Sequence, residues 1–153
     1  FFGDPDAAGR YLEAHNIVVL RDSVAILPGG ICIAGREDIT VKYRSGKDRK
    51  SIEELLAGID CPGPVIMMDH QPYHLESASR SGVDIQVSGH THHGQIWPFN
   101  CITKSMFEVS RGYKKIGNTH FYVSSGYGTW GPPIRTSSHS EIILLEISAV
   151  TEK

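Results

Sequence analysis

An α/β fold, a mixed sheet with flanking helices, is what this sequence predicts, and three observations predict it. Short apolar runs bounded by turn residues, "VIMM" after "CPGP" and "VDIQVS" after Gly82, have the length of strands. Segments with helical spacing and capping residues alternate with them. The polar and histidine-bearing residues follow directly on the apolar runs, where open α/β sheets place their ligand sites. The bulk numbers agree: 153 residues, 40% hydrophobic and 21% charged, describe one globular domain or a piece of one.

Taken in order, "GDPDAAGRYLEAHN" predicts a helix. Asp4 can cap it, Pro5 suits its first position, and Ala8, Tyr11, Leu12 and His15 recur at helical spacing. "IVVLRDSVAIL" and "GGICIAGRED" predict two strands joined by the Pro28-Gly29-Gly30 turn. "SIEELLAGI", with Ser51 as N-cap and Ile52, Leu55, Leu56 and Ile59 on one side, predicts a second helix. "VIMM" is a continuous apolar run, as expected of a strand buried on both faces. "YHLESASRSG" predicts a short helix ending at Gly82, before the strand "VDIQVS". After a histidine loop come a strand in "THFYVSS", a glycine-rich loop "GYGTWGPP", and a closing strand in "EIILLEIS".

Composition excludes several classes. A net charge of −2 gives no basic patch for nucleic acid or an anionic membrane. No apolar stretch approaches the roughly 18 residues of a membrane-spanning helix. "FFGDPD" lacks the basic and apolar regions of a signal peptide, and the absence of an initiating Met points to a natural start upstream. Cys32, Cys61 and Cys101 are odd in number and form no C-x-x-C pair, so they read as reduced, mostly buried thiols.

The chemistry concentrates in "VSGHTHHGQIWP", residues 87–98. Gly89 allows a sharp turn after the strand. In extended geometry His90 and His92 would point to one side and His93 to the other, where it backs the site, faces substrate or is solvated. Two imidazoles two residues apart can chelate one metal or bind two adjacent ones. A second cluster, "MMDHQPYH", again follows an apolar run, and Pro72 turns the chain away from helix after His70. If the two strands are neighbours, His70 meets His90 and His92. His15, His74, His120 and His139 carry no such placement and are expected not to be ligands. Three familiar metal patterns fail: position 94 is Gly where a metallo-β-lactamase needs Asp, no H-E-x-x-H is present, and H-x-H lies too late for an amidohydrolase.

"DHQP" followed by "SGHTHHGQIWP" closely resembles the calcineurin-like metallophosphoesterases, whose later signatures are a strand-end H-x-P and a G-H-x-H loop. "SSGYGTWGPPIRTSSHSEI" is similar to the ending of one bacterial, often membrane-associated branch, and the resemblance covers essentially the whole chain. It implies an α/β/β/α sandwich and a hydrolase acting on phosphate esters through two divalent metals (Mn, Fe or Zn) and a bridging hydroxide. It places His70 and His90 on one metal and His92 on the other; apart from the resemblance, His93, Gln95 and Arg135 are candidates for the substrate rim, the loop before Arg135 being otherwise a rigid connector between two strands.

The family's D-x-H, G-D-x-x-D and G-N-H-[DE] motifs are not found: Asp69 adjoins His70 directly, and "GDPD" has its second acid one place early. Residues 1–153 are therefore expected to be the C-terminal portion of a phosphoesterase domain, inactive alone. The remaining ligands and a general-acid histidine would lie upstream, as would any membrane anchor. The alternative is a non-catalytic domain holding a single structural metal through His70, His90 and His92. Rim loops set the substrate, so its identity, and the choice between mono- and diester, are not legible. An exposed apolar sheet face, prone to self-association, is the further expectation.

Overall fold

Asp4 caps the first helix as its position predicts: its carboxylate accepts the Asp6 N–H at 2.9 Å, and Pro5 opens α1 (Pro5–Ala14). The computed structural model describes residues 4–148. Beyond α1 the chain forms β1 (Ser23–Ile26), β2 (Cys32–Gly35), α2 (Val41–Ser45), α3 (Ile52–Leu56), β3 (Val65–Met68), α4 (Leu75–Arg80) and β4 (Ile85–Ser88). A 3-10 turn at His92–Gly94, α5 (Phe99–Met106), β5 (Gly112–Ile116) and β6 (Thr119–Val123) complete it. Ser51 and Glu54 close a full capping box on α3, each side chain taking the other's backbone N–H.

The six strands form one mixed sheet in the order β1-β2-β3-β4-β6-β5. β2, β3, β4 and β6 run parallel, and antiparallel β1 and β5 hold the two edges. Ala34, Met67, Gln86 and Phe121 share one register row and point to the buried face. There Ile52 and Leu55 of α3 and Leu75 and Ala78 of α4 pack against them with Val83, Val109 and Val123. The core thus lies between the sheet and these helices, and it fixes the strand ends from which the histidines emerge.

Four expectations are corrected. β3 is not buried on both faces: Met67 is fully enclosed, whereas Met68, on the opposite face, is 43% exposed. "EIILLEIS" forms no strand within residues 141–148, and Ile142 and Leu144 are exposed, because among the described residues no strand lies beside it to pair with. Cys32 and Cys61 form a disulfide, and Cys101 is free but exposed. The "CPGP" turn that starts β3 lies against the start of β2; a Cβ on Gly30 would stand 2.9 Å from Pro62. α2, α5 and β5 were not read from the sequence. α2 and α5 bury no residue, and the lysines of β5 suit an edge strand. Among the described residues no helix is long and apolar enough to cross a membrane.

Candidate metal centre

Parallel pairing of β3 with β4 brings two histidines together. The register Met68↔Val87 continues past the strand ends through Asp69 N–H to Val87 O (3.2 Å) and Gly89 N–H to His70 O (3.1 Å). His70 and His90 therefore leave adjacent strands side by side, with Nε2 of His70 3.2 Å from Nδ1 of His90 and the rings near perpendicular at 80°. Two nitrogens about 2.0–2.1 Å from one tetrahedral ion lie about 3.3 Å apart, so this pair is spaced as ligands of a single cation would be. The His90 ring also meets the edge of Phe107, which stacks on Tyr73.

The loop that follows is not extended. His90, His92, His93 and Gln95 have φ of 68, 44, 49 and 47°, a left-handed run that side chains other than glycine rarely adopt. The simple alternation of side chains is thereby lost. Thr91 stabilises the turn, donating from Oγ1 to Ser110 O (2.6 Å) and accepting the His93 N–H (3.1 Å). Gly94, at φ 70°, lets α5 rest directly on the loop: a Cβ there would stand 2.3 Å from the Asn100 nitrogen. His93 turns to Ser110, its Nδ1 3.0 Å from the hydroxyl oxygen.

His92 stands apart from the His70–His90 pair. Its Nδ1 is buried without any hydrogen-bond partner, a state in which a ring nitrogen costs stability unless something occupies it. Among the described residues no three His, Cys, Asp or Glu side chains converge closely enough to hold one metal ion. Burial lowers the pKa of His90 and His92; nearby His70 adds to this at His90, and Arg135, His70 and His90 add to it at His92. Both rings are thereby biased to the neutral form that ligates metals. His93 is shifted down too, by burial and then by Lys104 and Arg111.

A cleft of about 1030 Å³ opens over these rings, lined by His70, His90, His92, Gln71, Asp38 and Trp130 among others. Asp38 was missed in the sequence, although "GRED" follows β2 just as the histidines follow β3 and β4. Burial alone would raise its carboxyl, but hydrogen bonds from Thr40 and Gln71 and the neighbouring His70 outweigh it, holding the pKa below the ordinary value. Gln95 is buried and staples the far wall: its amide donates to Trp130 O (2.7 Å) and accepts the Trp130 N–H (2.6 Å). Arg135 lies behind His92, its guanidinium bonded to Ser125 O, Ser138 Oγ and Gly128 O. His15, His74, His120 and His139 are exposed, with His15 meeting Tyr11 O and His120 the Tyr113 hydroxyl.

No protein-family model and no solved structure matches the chain. Curated relatives do. An uncharacterized metallophosphoesterase of Helicobacter pylori J99 is 39% identical over 139 residues, covering 90% of this chain and 37% of that protein. An uncharacterized metallophosphoesterase of Aquifex aeolicus is 31% identical over 142 residues, 90% of this chain and 53% of the relative. A transmembrane protein with metallophosphoesterase domain from Danio rerio is 34% identical over 116 residues, 73% of this chain and 26% of that protein. This chain spans 37% of the first relative's length and never more than 53% of these three. With that similarity extending over 90% of its residues, the chain belongs to the calcineurin-like metallophosphoesterase family.

Proposed function

We propose that residues 1–153 are the C-terminal portion of a phosphoesterase domain and supply the imidazole side of a two-metal centre. One observation carries this: the His70–His90 pair, spaced for one cation, shares a cleft with His92, whose buried Nδ1 has no partner. His70 and His90 would hold one ion and His92 the other. Two divalent ions, Mn, Fe or Zn, would there activate water as a nucleophile near neutral pH and neutralise charge on the phosphoryl oxygens. The chain's own part is to present neutral imidazoles from rigid strand ends and to wall the cleft. Gln95 and Arg135 hold that wall through the backbone of residues 125–132, while His93 braces the loop from behind. Any contact of these three with substrate belongs to the same proposal.

The rival reading, one structural metal held by all three histidines, needs a convergence that the described side chains lack. Three neutral imidazoles cannot offset two divalent charges without carboxylates, so the chain alone is expected to bind metal incompletely and turn over nothing. The test is to assay it with manganese and a chromogenic phosphodiester, beside a longer form carrying the upstream residues. Robust turnover by residues 1–153 alone overturns the partial-domain reading. In the longer form, His90→Ala should lower activity at least about a hundredfold by removing a metal ligand.

A further inference from the structure

His70 stands between two fully buried neighbours, and both are tied to the same stretch of chain, residues 36–50. The Asp69 side chain is 0% exposed and takes two guanidiniums: Arg36 on Oδ2 at 3.1 Å and Arg49 on Oδ1 at 2.8 Å. Those arginines are themselves anchored, Arg36 Nε donating to Lys50 O and Arg49 to Glu37 O, each at 3.0 Å. On the other side the Gln71 amide donates to Asp38 Oδ2 at 2.8 Å. Asp69 Oδ1 also accepts the Gln71 N–H at 3.3 Å, closing a side-chain-capped turn with His70 at its centre.

We propose that Asp69 is a positioning residue for the metal centre: clamped between Arg36 and Arg49, its carboxylate closes the turn that aims His70 at His90. With the Asp69 and Gln71 side chains both held to residues 36–50, the turn between them leaves His70 directed to the cleft. Among the described residues the imidazole has no such clamp, and its ring nitrogens meet only His90. Its direction thus comes from its neighbours, and loss of a partner that orients a ligand typically costs about 10- to 100-fold in metal affinity. A merely structural triad would hold residues 36–50 to the sheet and leave metal affinity alone.

This inference rests on the reading of His70 as a ligand, and the experiment separates the two. Cobalt(II) is titrated into the 153-residue chain and its binding followed by visible d–d absorption, with circular dichroism and melting as a check on the fold. Asp69→Asn removes the charge, and Asp69→Glu keeps the charge while moving the carboxylate out of the turn. Both are expected to fold and to bind cobalt about tenfold or more weakly, with altered bands. Folded variants of wild-type affinity overturn the proposal. If Asp69→Asn fails to fold, Asp69→Glu decides; if both fail, the triad is structural and the proposal falls. His70→Ala serves as the control: unchanged cobalt binding there removes the ligand reading itself, and this inference with it.

Discussion

Glu141 ties the far wall of the cleft to the sheet. Its Oε1 accepts the Ser125 N–H at 2.6 Å, and Oε2 pairs with Arg111 at 3.1 Å. Burial would raise this carboxyl, but the Ser125 N–H and Arg111 outweigh it and hold the pKa below the ordinary value near 4.5. A carboxyl lowered on folding stabilises the protein above its unfolded pKa, and that stability is lost as pH falls through the lowered folded value. Glu141→Gln is therefore expected to cost about 1–2 kcal/mol at pH 7, in line with a charged hydrogen bond in a partly exposed site. Melting temperatures of the two proteins should converge as pH falls through the lowered folded value; a gap that persists in strong acid contradicts the assignment. At this scale the meeting of His70 with His90 was legible because both follow directly on apolar runs that become neighbouring parallel strands. Asp69 was seen only as failing a D-x-H pattern, since Arg36 and Arg49, its partners, lie 33 and 20 residues away and no local spacing announces them.

Elements were legible wherever local rules and burial agreed. Asp4-Pro5 and Ser51 with Glu54 mark real helix starts, and each apolar run that gained a neighbouring strand became one. α5 escaped notice because Phe99, Ile102 and Met106 face outward, so its apolar residues mark no core. Residues 141–148 show the converse error, since apolar period alone cannot make a strand without a partner. The disulfide was illegible for a topological reason: Cys32 and Cys61 are 29 residues apart and meet only because β2 and β3 are parallel neighbours. Reduction should lower stability by about 3–4 kcal/mol for a loop of that length. Alkylation without reductant, read by mass spectrometry, should label Cys101 alone; three labelled thiols would refute the bond.

Among the described residues α3 and α4 cover one face of the sheet, and on the other, where Leu20 lies against Gly35, Met68 and Tyr113 are exposed. Such a surface favours association, and sedimentation of the 153-residue chain should show species larger than a monomer that disappear when Met68 and Tyr113 are changed to polar residues. A strictly monomeric particle at high concentration would rule this out. The α/β class and its mixed sheet were legible at this scale because strand runs alternate with capped helices; which side of "VIMM" stays covered was not, since the run looks the same either way. The ladder that joins Asp69 to Val87 and Gly89 to His70 also constrains how sequences of this kind can diverge. Because backbone pairing holds both strand ends, chain length can change at the exposed turn around Gly82 without moving either imidazole. One residue gained or lost within 65–70 or 85–90 would instead swing His70 or His90 to the opposite side of the sheet. Length variation among functional relatives should therefore gather between the two histidines and spare the short strands that carry them.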